Sequence, residues 1–509
     1  MKTILNFIKK NRNIILLIIS FVFLTMLVLG MTYAYFDLKT GGETESTMNI
    51  GGAEISATYS FSNSINITDA LPGNDIIAYK DITLTYKNTS SEEYKVYLKT
   101  VIDYSTFTNT ENDGVLYYDI YSGTDHSTLV QDKTIFPTIK YGKSILKEIS
   151  IPANSTGTLN YRINFYFPES DKLQNPDGQL VLNASISVES DNSLKYTPTL
   201  KKKIDLMYQY ESGTNGLEQD DTTDKNIRYV GANPKNYVEF ANPGELWRIV
   251  GIFNVKDSTG KIERKIKLVR NESLGGFSWD AKLNGDKYWG INDWTEADLK
   301  NELNGDYLNT ALTSNTKWYN SYYDSTARKP VQRKEGIFDY TKTIKQNYQN
   351  MISESVWNIG GNSYTGSAPY TLNLLSQYNK ERGTITYQNS RPTEWTGKVG
   401  LIYASDYGYA STNSECRENL RAGVTYENGS WDYSNGKCKT DNWLFKNSWY
   451  WTLSPYSGDS INVFFVRGGG AVFYDLAYDF IGVLPAVFLK SDILIASGTG
   501  EKDSPYRLG

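Results

Sequence analysis

Residues Trp449 to Asp492 form the sequence WYWTLSPYSGDSINVFFVRGGGAVFYDLAYDFIGVLPAVFLKSD. It contains apolar runs at 463–466, 471–474 and 485–489, separated by RGGG and by YDLAYDFIG. Each run has the length of a short strand, and consecutive glycines favour a tight reversal because glycine adopts backbone conformations closed to other residues. The stretch therefore predicts a small antiparallel sheet with a glycine-rich hairpin.

The residues upstream of this stretch contain the main helix prediction of the chain. Thr295 precedes EADLKNELNGDYL and starts a pattern that resembles a capping box. Leu299 and Leu303 are at i and i+4, so they fall on one face of a helix, and Gly305 can end that helix. We therefore expect a helix that packs through these two leucines.

In this order the segments resemble the C-type-lectin-like fold of the formylglycine-generating-enzyme type, in its non-catalytic bacterial branch. That branch shares LWRIVG at 246–251, a segment like NDWTEADLKNELNGDYLN at 292–309, and an ending of the form WTLSP followed by PAVFLK. The resemblance spans about 226–492 and departs from the family at Leu484, where an arginine is usual. It implies an α+β, C-type-lectin-like domain over residues 226–509.

Several relatives of this pattern are variable proteins diversified by retroelements, in which a constant framework carries residues that differ between copies. The framework implied here is Trp451, Leu453, Ser454, Pro455, Val466, Gly470, Val472, Gly482, Pro485 and Lys490. Ala471 and Phe480 fall at variable positions, together with a predicted ligand-binding face of Phe465, Arg467, Phe473, Tyr474, Asp475, Tyr478 and Asp479. We expect Tyr474, Asp475, Tyr478 and Asp479 to lie on one exposed surface with Arg467. The alternative for Phe465 and Phe473 is an ordinary place in the core.

The two cysteines of the chain, Cys416 and Cys438, bear on both catalysis and stability. The true enzymes of this fold oxidise a peptide cysteine with a copper-binding cysteine pair. These two cysteines lie in the hydrophilic segments SECREN and NGKCKTDN, well before the last strands, so they do not match that pair. We predict a structural disulfide, because the chain is expected on the oxidising side of a membrane. Two free thiols are the alternative.

The chain contains a single histidine, His126, within GTDHST. A Ser-His-Asp triad would have to use it, and no nucleophile elbow lies nearby. Three His and Cys residues spread over the chain cannot assemble a zinc site. We therefore predict no enzyme, no cofactor and no metal centre, although carboxylate-only chemistry and an oxygen-ligand Ca²⁺ site stay open.

Residues 37–192 have the pattern of an all-β sandwich. The runs at 81–88, 158–167 and 180–188 alternate apolar and polar residues, as half-buried antiparallel strands do. With GMTYAYF and ITDALPGNDIIAYKDITLTYKNTSSEEYKVYL, the region 30–192 resembles the camelysin-type proteins that build Gram-positive biofilm fibres. Its LPGND turn is one residue longer than the family's LPGD-like turn. The alternative is any immunoglobulin-like spacer sandwich.

The N-terminus, residues 1–36, is predicted to be a membrane anchor or a signal peptide. Lysines and an arginine precede an uncharged apolar run at 14–36, which is long enough to span a bilayer. It stays in the membrane as a helix or is cleaved near Ala34. Either outcome puts the rest of the chain on the outer face of the membrane or at the cell surface.

Residues 193–225, which end in a Gly/Asp/Thr-rich tract, are predicted to be a linker with a short helix or strand near 204–210.

The charge of the chain limits its partners. A formal net charge of -5 gives no basic footprint for nucleic acid.

The first hypothesis is a non-catalytic surface display or adhesion protein whose C-terminal face binds a protein or glycan. The alternative is a structural extracellular fibre subunit that self-associates through the sandwich.

Overall fold

The structure is a computed structural model of the 509-residue chain. The residues that it describes are 46–50, 53–59, 63–107, 115–137, 141–170, 180–211, 213, 215–281, 289–314, 316–318, 321–324, 326, 329–332, 336–363, 371–387, 391–421, 425–427, 430–432, 437–439 and 441–509. The predicted anchor or signal segment at 1–36 therefore lies outside the described residues. Within the described ranges, no helix is both long enough and apolar enough to cross a membrane.

The chain is mostly β and divides into two compact units between Tyr196 and Thr197. The strands of the first unit are β1 (Ser46–Ile50), β2 (Ala53–Tyr59), β3 (Ser64–Ala70), β4 (Ile76–Asn88), β5 (Tyr94–Ser105), β6 (Tyr117–Ser122), β7 (Thr128–Ile135), β8 (Gly142–Ile151), β9 (Ser155–Tyr166) and β10 (Leu180–Glu189). They form a six-stranded sheet in the order β1-β2-β4-β9-β6-β7 and a four-stranded sheet in the order β3-β10-β5-β8.

The core of the first unit is contributed by both sheets, which makes the unit a β-sandwich. Ile82 and Leu84 on β4 and Ile163 on β9 are almost fully buried, and so are Leu182 and Ile186 on β10 of the other sheet. These are alternate residues of their strands, and side chains two positions apart point to the same face. The predicted alternation is thus confirmed for these strands.

The second unit is built from more, and shorter, strands. They are β11 (Leu217–Gln219), β12 (Ile227–Tyr229), β13 (Tyr237–Glu239), β14 (Leu246–Lys256), β15 (Ile262–Arg270), β16 (Gly276–Phe277), β17 (Thr316–Trp318), β18 (Ser321–Asp324), β19 (Lys329–Gln332), β20 (Gly336–Phe338), β21 (Ser355–Asn358), β22 (Glu394–Gly397), β23 (Val399–Leu401), β24 (Thr425–Glu427), β25 (Ser430–Asp432), β26 (Tyr450–Pro455), β27 (Asn462–Val466), β28 (Val472–Leu476), β29 (Ile481–Gly482), β30 (Pro485–Phe488), β31 (Ile495–Ser497) and β32 (Tyr506–Leu508).

The helices of the second unit are short. They are α1 (Leu200–Glu211), α2 (Asp298–Asn304), α3 (Gln346–Gln349), α4 (Leu374–Glu381), α5 (Ala404–Tyr409) and α6 (Ser414–Glu418), with 3₁₀ turns at Asp306–Leu308, Tyr340–Lys342 and Lys437–Lys439. A nine-stranded sheet centres on β14 and β15, and a five-stranded sheet has the order β16-β29-β26-β27-β28. Strands β26 to β29 of the five-stranded sheet come from residues 449–492, the segment with the predicted glycine-rich hairpin.

The segment 193–225, predicted as a linker, is largely part of the second unit. Leu200 and Ile204 on α1 are fully buried in the core of that unit, so the helix is anchored by its apolar face. In the polar tract after it, residues 215–225 are held by hydrogen bonds of their own. Asp220 accepts hydrogen bonds from the Thr222 hydroxyl at 2.6 Å and from the Asn226 side chain at 2.9 Å. Composition predicted a linker because the sequence does not show which polar residues pair with one another.

Helix α2 confirms the two buried leucines and corrects the predicted cap. Leu299 and Leu303 are buried, and Gly305 follows the last turn. The helix starts three residues after Thr295, however, with Ala297 at its N-cap position and no capping side chain. Thr295 instead donates from its backbone N–H and its hydroxyl to Asp293, at 3.0 and 2.6 Å. A local Asx turn therefore takes the hydroxyl that the capping box needed.

Candidate functional site

The glycine-rich hairpin predicted from the sequence is formed by β27 and β28. Val466 pairs with Val472 at the end of the ladder, and Gly470 in the turn has a positive φ of 90°. Added at Gly470, a Cβ would meet the backbone N of Lys439 at 3.0 Å. Glycine is therefore required at this position both by its conformation and by the close approach of another backbone segment.

Phe465, predicted as a ligand-binding residue, is instead a core residue. Its side chain is 0% exposed, and its ring lies 6.0 Å from Trp451, which is equally buried. The side chains from Val463 to Val466 are all 0% exposed, and neighbouring residues of a strand point to opposite faces, so both faces of β27 are covered by the unit's core. Phe473 pairs directly with Phe465 but lies on the edge strand β28, where it is only half-buried.

The predicted single face divides into two, because neighbouring residues of a strand point to opposite sides. Phe473 and Asp475 share one face of β28, and Tyr474 lies on the other. The Tyr474 ring stacks on Tyr456 with centroids 4.3 Å apart, and Tyr456 in turn packs against the buried Phe464. The expectation that Tyr474 and Asp475 form one surface with Arg467 is therefore wrong. Sequence reasoning missed this because it treated the YDLAYD run as a loop rather than as the end of a strand.

Arg467 joins the aromatic residues on the first of these faces. Its guanidinium carbon is 4.2 Å from the ring centre of Phe473, 5.1 Å from that of Trp449 and 5.6 Å from that of Phe465. Trp449 is 48% exposed. We call these four residues, Trp449, Phe465, Arg467 and Phe473, the Trp449 cluster. Arg421 approaches Phe473 to 4.4 Å at the border of the cluster.

The remaining predicted residues lie in the turn after β28. Tyr478 and Asp479 are half-buried, and the Ser278 hydroxyl donates a hydrogen bond to the carbonyl of Tyr478. Phe480, which follows them, is 60% exposed. Two residues later, Gly482 donates from its N–H to the carbonyl of Trp449 at 3.2 Å, so this turn ends next to the Trp449 cluster. The sequence pattern did not single out Trp449, which is the most exposed residue of the cluster.

The disulfide between Cys416 and Cys438 lies close to the hairpin turn. Both cysteines are fully buried and their Cα atoms are 5.0 Å apart. The Tyr407 hydroxyl donates to the carbonyl of Gly470 at 2.9 Å, and the Cys438 carbonyl lies 3.4 Å from the same hydroxyl. The cross-linked segment is thus packed against the turn that presents Arg467.

A buried charge network crosses the core of the second unit. Asp406, at the start of α5, accepts from Lys267 at 2.6 Å and from Arg228 at 2.9 Å, and Arg228 also bonds Asp220 at 2.6 Å. Burial works to raise the pKa of Asp406, but the charges of Lys267 and Arg228 outweigh it and hold that pKa well below its usual range. Burial likewise lowers the pKa of Lys267, and Asp406 opposes this in part. At neutral pH the network therefore stays ionised.

Buried tyrosines should make the second unit less stable at alkaline pH. Burial raises the pKa of Tyr229, Tyr407 and Tyr450 well above 10. Because the folded state keeps these protons where the unfolded state releases them, stability should fall as the pH rises above about 10. A spectrophotometric titration should show part of the tyrosinate absorbance appearing only together with loss of native circular dichroism. A single smooth titration near pH 10, with the native signal kept, would count against buried neutral tyrosines.

His126 and the acidic side chains are the groups that a metal site or a triad would need. Within them, no group of three or more His, Cys, Asp or Glu side chains is placed to hold a metal ion. His126 lies in a turn with a φ of 52°, and its Nε2 atom is 3.7 Å from Asp81. Asp81 is held in a bidentate pair by Arg162 at 2.6 and 2.7 Å, so this histidine borders an ion pair of the sandwich.

Comparisons with known proteins leave the family open. No protein-family model matches the chain, and no curated protein matches it either. Among solved structures, the chain is similar to the CBM22-2 xylan-binding domain of Xyn10C from Paenibacillus barcinonensis. The two are 12% identical, the match covers 28% of this chain and 94% of that domain, and the TM-score is 0.13. A TM-score this low supports no statement about fold or ligand, so these comparisons place the chain in no known family.

Proposed function

We propose that this chain is a non-catalytic protein of the bacterial cell surface, exported or anchored through its apolar N-terminal run. In this proposal the β-sandwich carries a C-type-lectin-like second unit, and the Trp449 cluster of that unit binds a protein or glycan. Display and adhesion are the functions that follow from such an arrangement.

The observation that carries the proposal is the exposed Trp449 held beside Arg467. Tryptophan and arginine are the residue types most enriched at binding hot spots, and they act best where neighbouring contacts exclude water. Here Arg467 lies over Trp449 and Phe473, and the buried Phe465 supports them from the core. The cluster is therefore preorganised, so a ligand would not have to order these side chains itself.

The test uses the purified full chain in detergent on an array of immobilised glycans and extracellular proteins. Changing Trp449→Ala should weaken binding about thirtyfold or more, because truncation of a central aromatic anchor costs at least ~2 kcal/mol. Tyr387→Ala is the matched control, since Tyr387 is an aromatic residue of similar exposure, 45%, elsewhere in the unit. Equal binding by the wild type and the Trp449 variant would contradict the assignment of this site.

Strand β7 favours the fibre alternative, because it ends the order of the six-stranded sheet and exposes Leu129 and Ile135 to about half of their area. An edge strand of this kind can pair with another copy. The same strand carries Asp132 and Lys133 and pairs with β6 through two register shifts, which are features that discourage pairing. Sedimentation of the purified chain distinguishes the two functions: display predicts discrete particles, and a fibre subunit predicts filaments that grow with concentration.

A further inference from the structure

A cavity of about 230 Å³ lies in the second unit over three adjacent strands. Its floor contains Phe253 from β14, Lys267 from β15 and Phe488 from β30. Lys267 pairs with Gly251 on one side and with Phe488 on the other, so these side chains project from the same face of the sheet. The floor is therefore apolar and aromatic, with one buried ammonium group among the rings.

Arg382 lines the wall of this cavity at the end of α4. Its guanidinium carbon lies 3.6 Å from the ring centre of Tyr378 and 5.0 Å from that of Tyr403, so the two rings fix its orientation. The Nη1 atom donates to the Tyr378 carbonyl at 3.4 Å. Among the described residues, the Nε and Nη2 atoms have no hydrogen-bond acceptor, and these two atoms form the edge of the fork that binds a carboxylate side-on.

The charges around the cavity leave Arg382 as the cation with the weakest protein partner. Lys267 has Asp406 at 2.6 Å, and Lys256, the other lysine that lines the cavity, has Glu394 at 2.7 Å. Glu381 approaches Arg382 only to 3.7 Å, and its oxygens already accept from Ser405 and Ser454. Burial raises the pKa of Glu381, which makes it a poor counterion. An anion that entered the cavity would therefore be attracted chiefly by Arg382.

Other polar groups on the wall can recognise a second group of a ligand. The Tyr403 hydroxyl accepts from the backbone N–H of Asn358 at 3.0 Å, so its own proton is left for another acceptor. Asp224 accepts from the Tyr378 hydroxyl through Oδ2, and no ion pair joins it to Arg382 among the described residues. Asp224 and Arg382 therefore line the same wall without pairing with each other. A ligand with its own hydrogen-bond acceptor and donor could pair with both of them.

We propose that this cavity binds a small carboxylic acid that also bears a hydroxyl or ammonium group. The ligand carboxylate pairs side-on with Arg382, its donor group faces Asp224, and its carbon skeleton covers Phe253. Sugar acids and amino acids share this chemistry. The volume is below the ~300–1,000 Å³ typical of drug-sized pockets, which limits the ligand to one such molecule.

The test measures binding of D-glucuronate, L-alanine and neutral D-glucose to the full chain by ligand-observed NMR. We expect glucuronate or alanine to bind and glucose to show no binding; a response to only one of the acids identifies whether the donor is a hydroxyl or an ammonium. The change Arg382→Gln should weaken binding about tenfold to a hundredfold, because charge-assisted hydrogen bonds are lost. Arg417→Gln is the matched control, since the half-buried Arg417 pairs with Glu218 outside the cavity.

Three outcomes would overturn the proposal: binding of neither acid, binding of glucose as strong as that of the acids, or unchanged affinity in a folded Arg382 variant. If Arg382→Gln does not fold, Arg382→Lys decides, because lysine keeps the positive charge but lacks the two-nitrogen fork that pairs side-on with a carboxylate. Full affinity in Arg382→Lys would then contradict the proposed pairing. Trp449→Ala should leave this binding unchanged, so the proposal and the function of the Trp449 cluster can fail separately.

Discussion

The change Asp406→Asn is expected to destabilise the second unit by about 3–5 kcal/mol, the usual cost of removing one partner from a buried ion pair. Asp406 is fully buried and is the carboxylate shared by Lys267 and Arg228. Without its charge, Lys267 loses its ionic partner and Arg228 keeps only Asp220. Asparagine matches the shape of aspartate, so the loss reports the charge rather than a cavity.

The measurement is chemical denaturation followed by tryptophan fluorescence. All 11 tryptophans of the chain lie between residues 247 and 451, so this signal reports the second unit alone. Glu501→Gln is the control, because the exposed Glu501–Lys235 pair should contribute nothing measurable. An Asp406→Asn variant with the wild-type midpoint would show that the buried network does not stabilise this unit.

Removal of the disulfide by Cys416→Ala with Cys438→Ala should cost the second unit about 3 kcal/mol. The cysteines are 22 residues apart, and in the chain-entropy model a cross-link of that span restricts the unfolded state by this amount. Because the cross-linked segment packs against Gly470, we also expect the hairpin turn to become more mobile. Hydrogen exchange at 467–471 should therefore rise more than exchange in the sandwich.

A reducing agent provides the control for this prediction. It should shift the denaturation midpoint of the wild type toward that of the double variant and leave the double variant unchanged. Coincident curves for the oxidised wild type and the double variant would mean that the disulfide adds no stability.

The alternation of apolar and polar residues predicted the sandwich because side chains along a strand point to opposite faces in turn. Ile82, Leu84 and Ile163 alternate with polar residues, and their burial follows directly from strand geometry. The hairpin at Gly470 was predictable for a similar reason, since a run of glycines between apolar residues favours a reversal of the chain. Leu299 and Leu303 likewise follow from helical spacing.

The parts that the sequence did not predict depend on contacts between distant residues. Phe465 and Phe473 have the same side chain and pair with each other, yet only Phe465 is fully buried, because β27 is an inner strand and β28 an edge strand. In the buried network of Asp220, Arg228 and Asp406, the bonded pair Arg228 and Asp406 is 178 positions apart in the chain. Nothing in the local composition of 193–225 indicates that Asp220 belongs to that network.

Surface display and ligand binding can both be measured on intact bacterial cells that produce the full chain. A membrane-impermeant amine reagent should label exposed lysines of the second unit, such as Lys256 and Lys261, without lysis of the cells. The same cells should adhere to an immobilised glycan or protein that binds the purified chain, and Trp449→Ala should reduce the adhesion while the labelling stays the same. Labelling only after lysis, or equal adhesion by the Trp449 variant, would contradict a surface protein that binds through the Trp449 cluster.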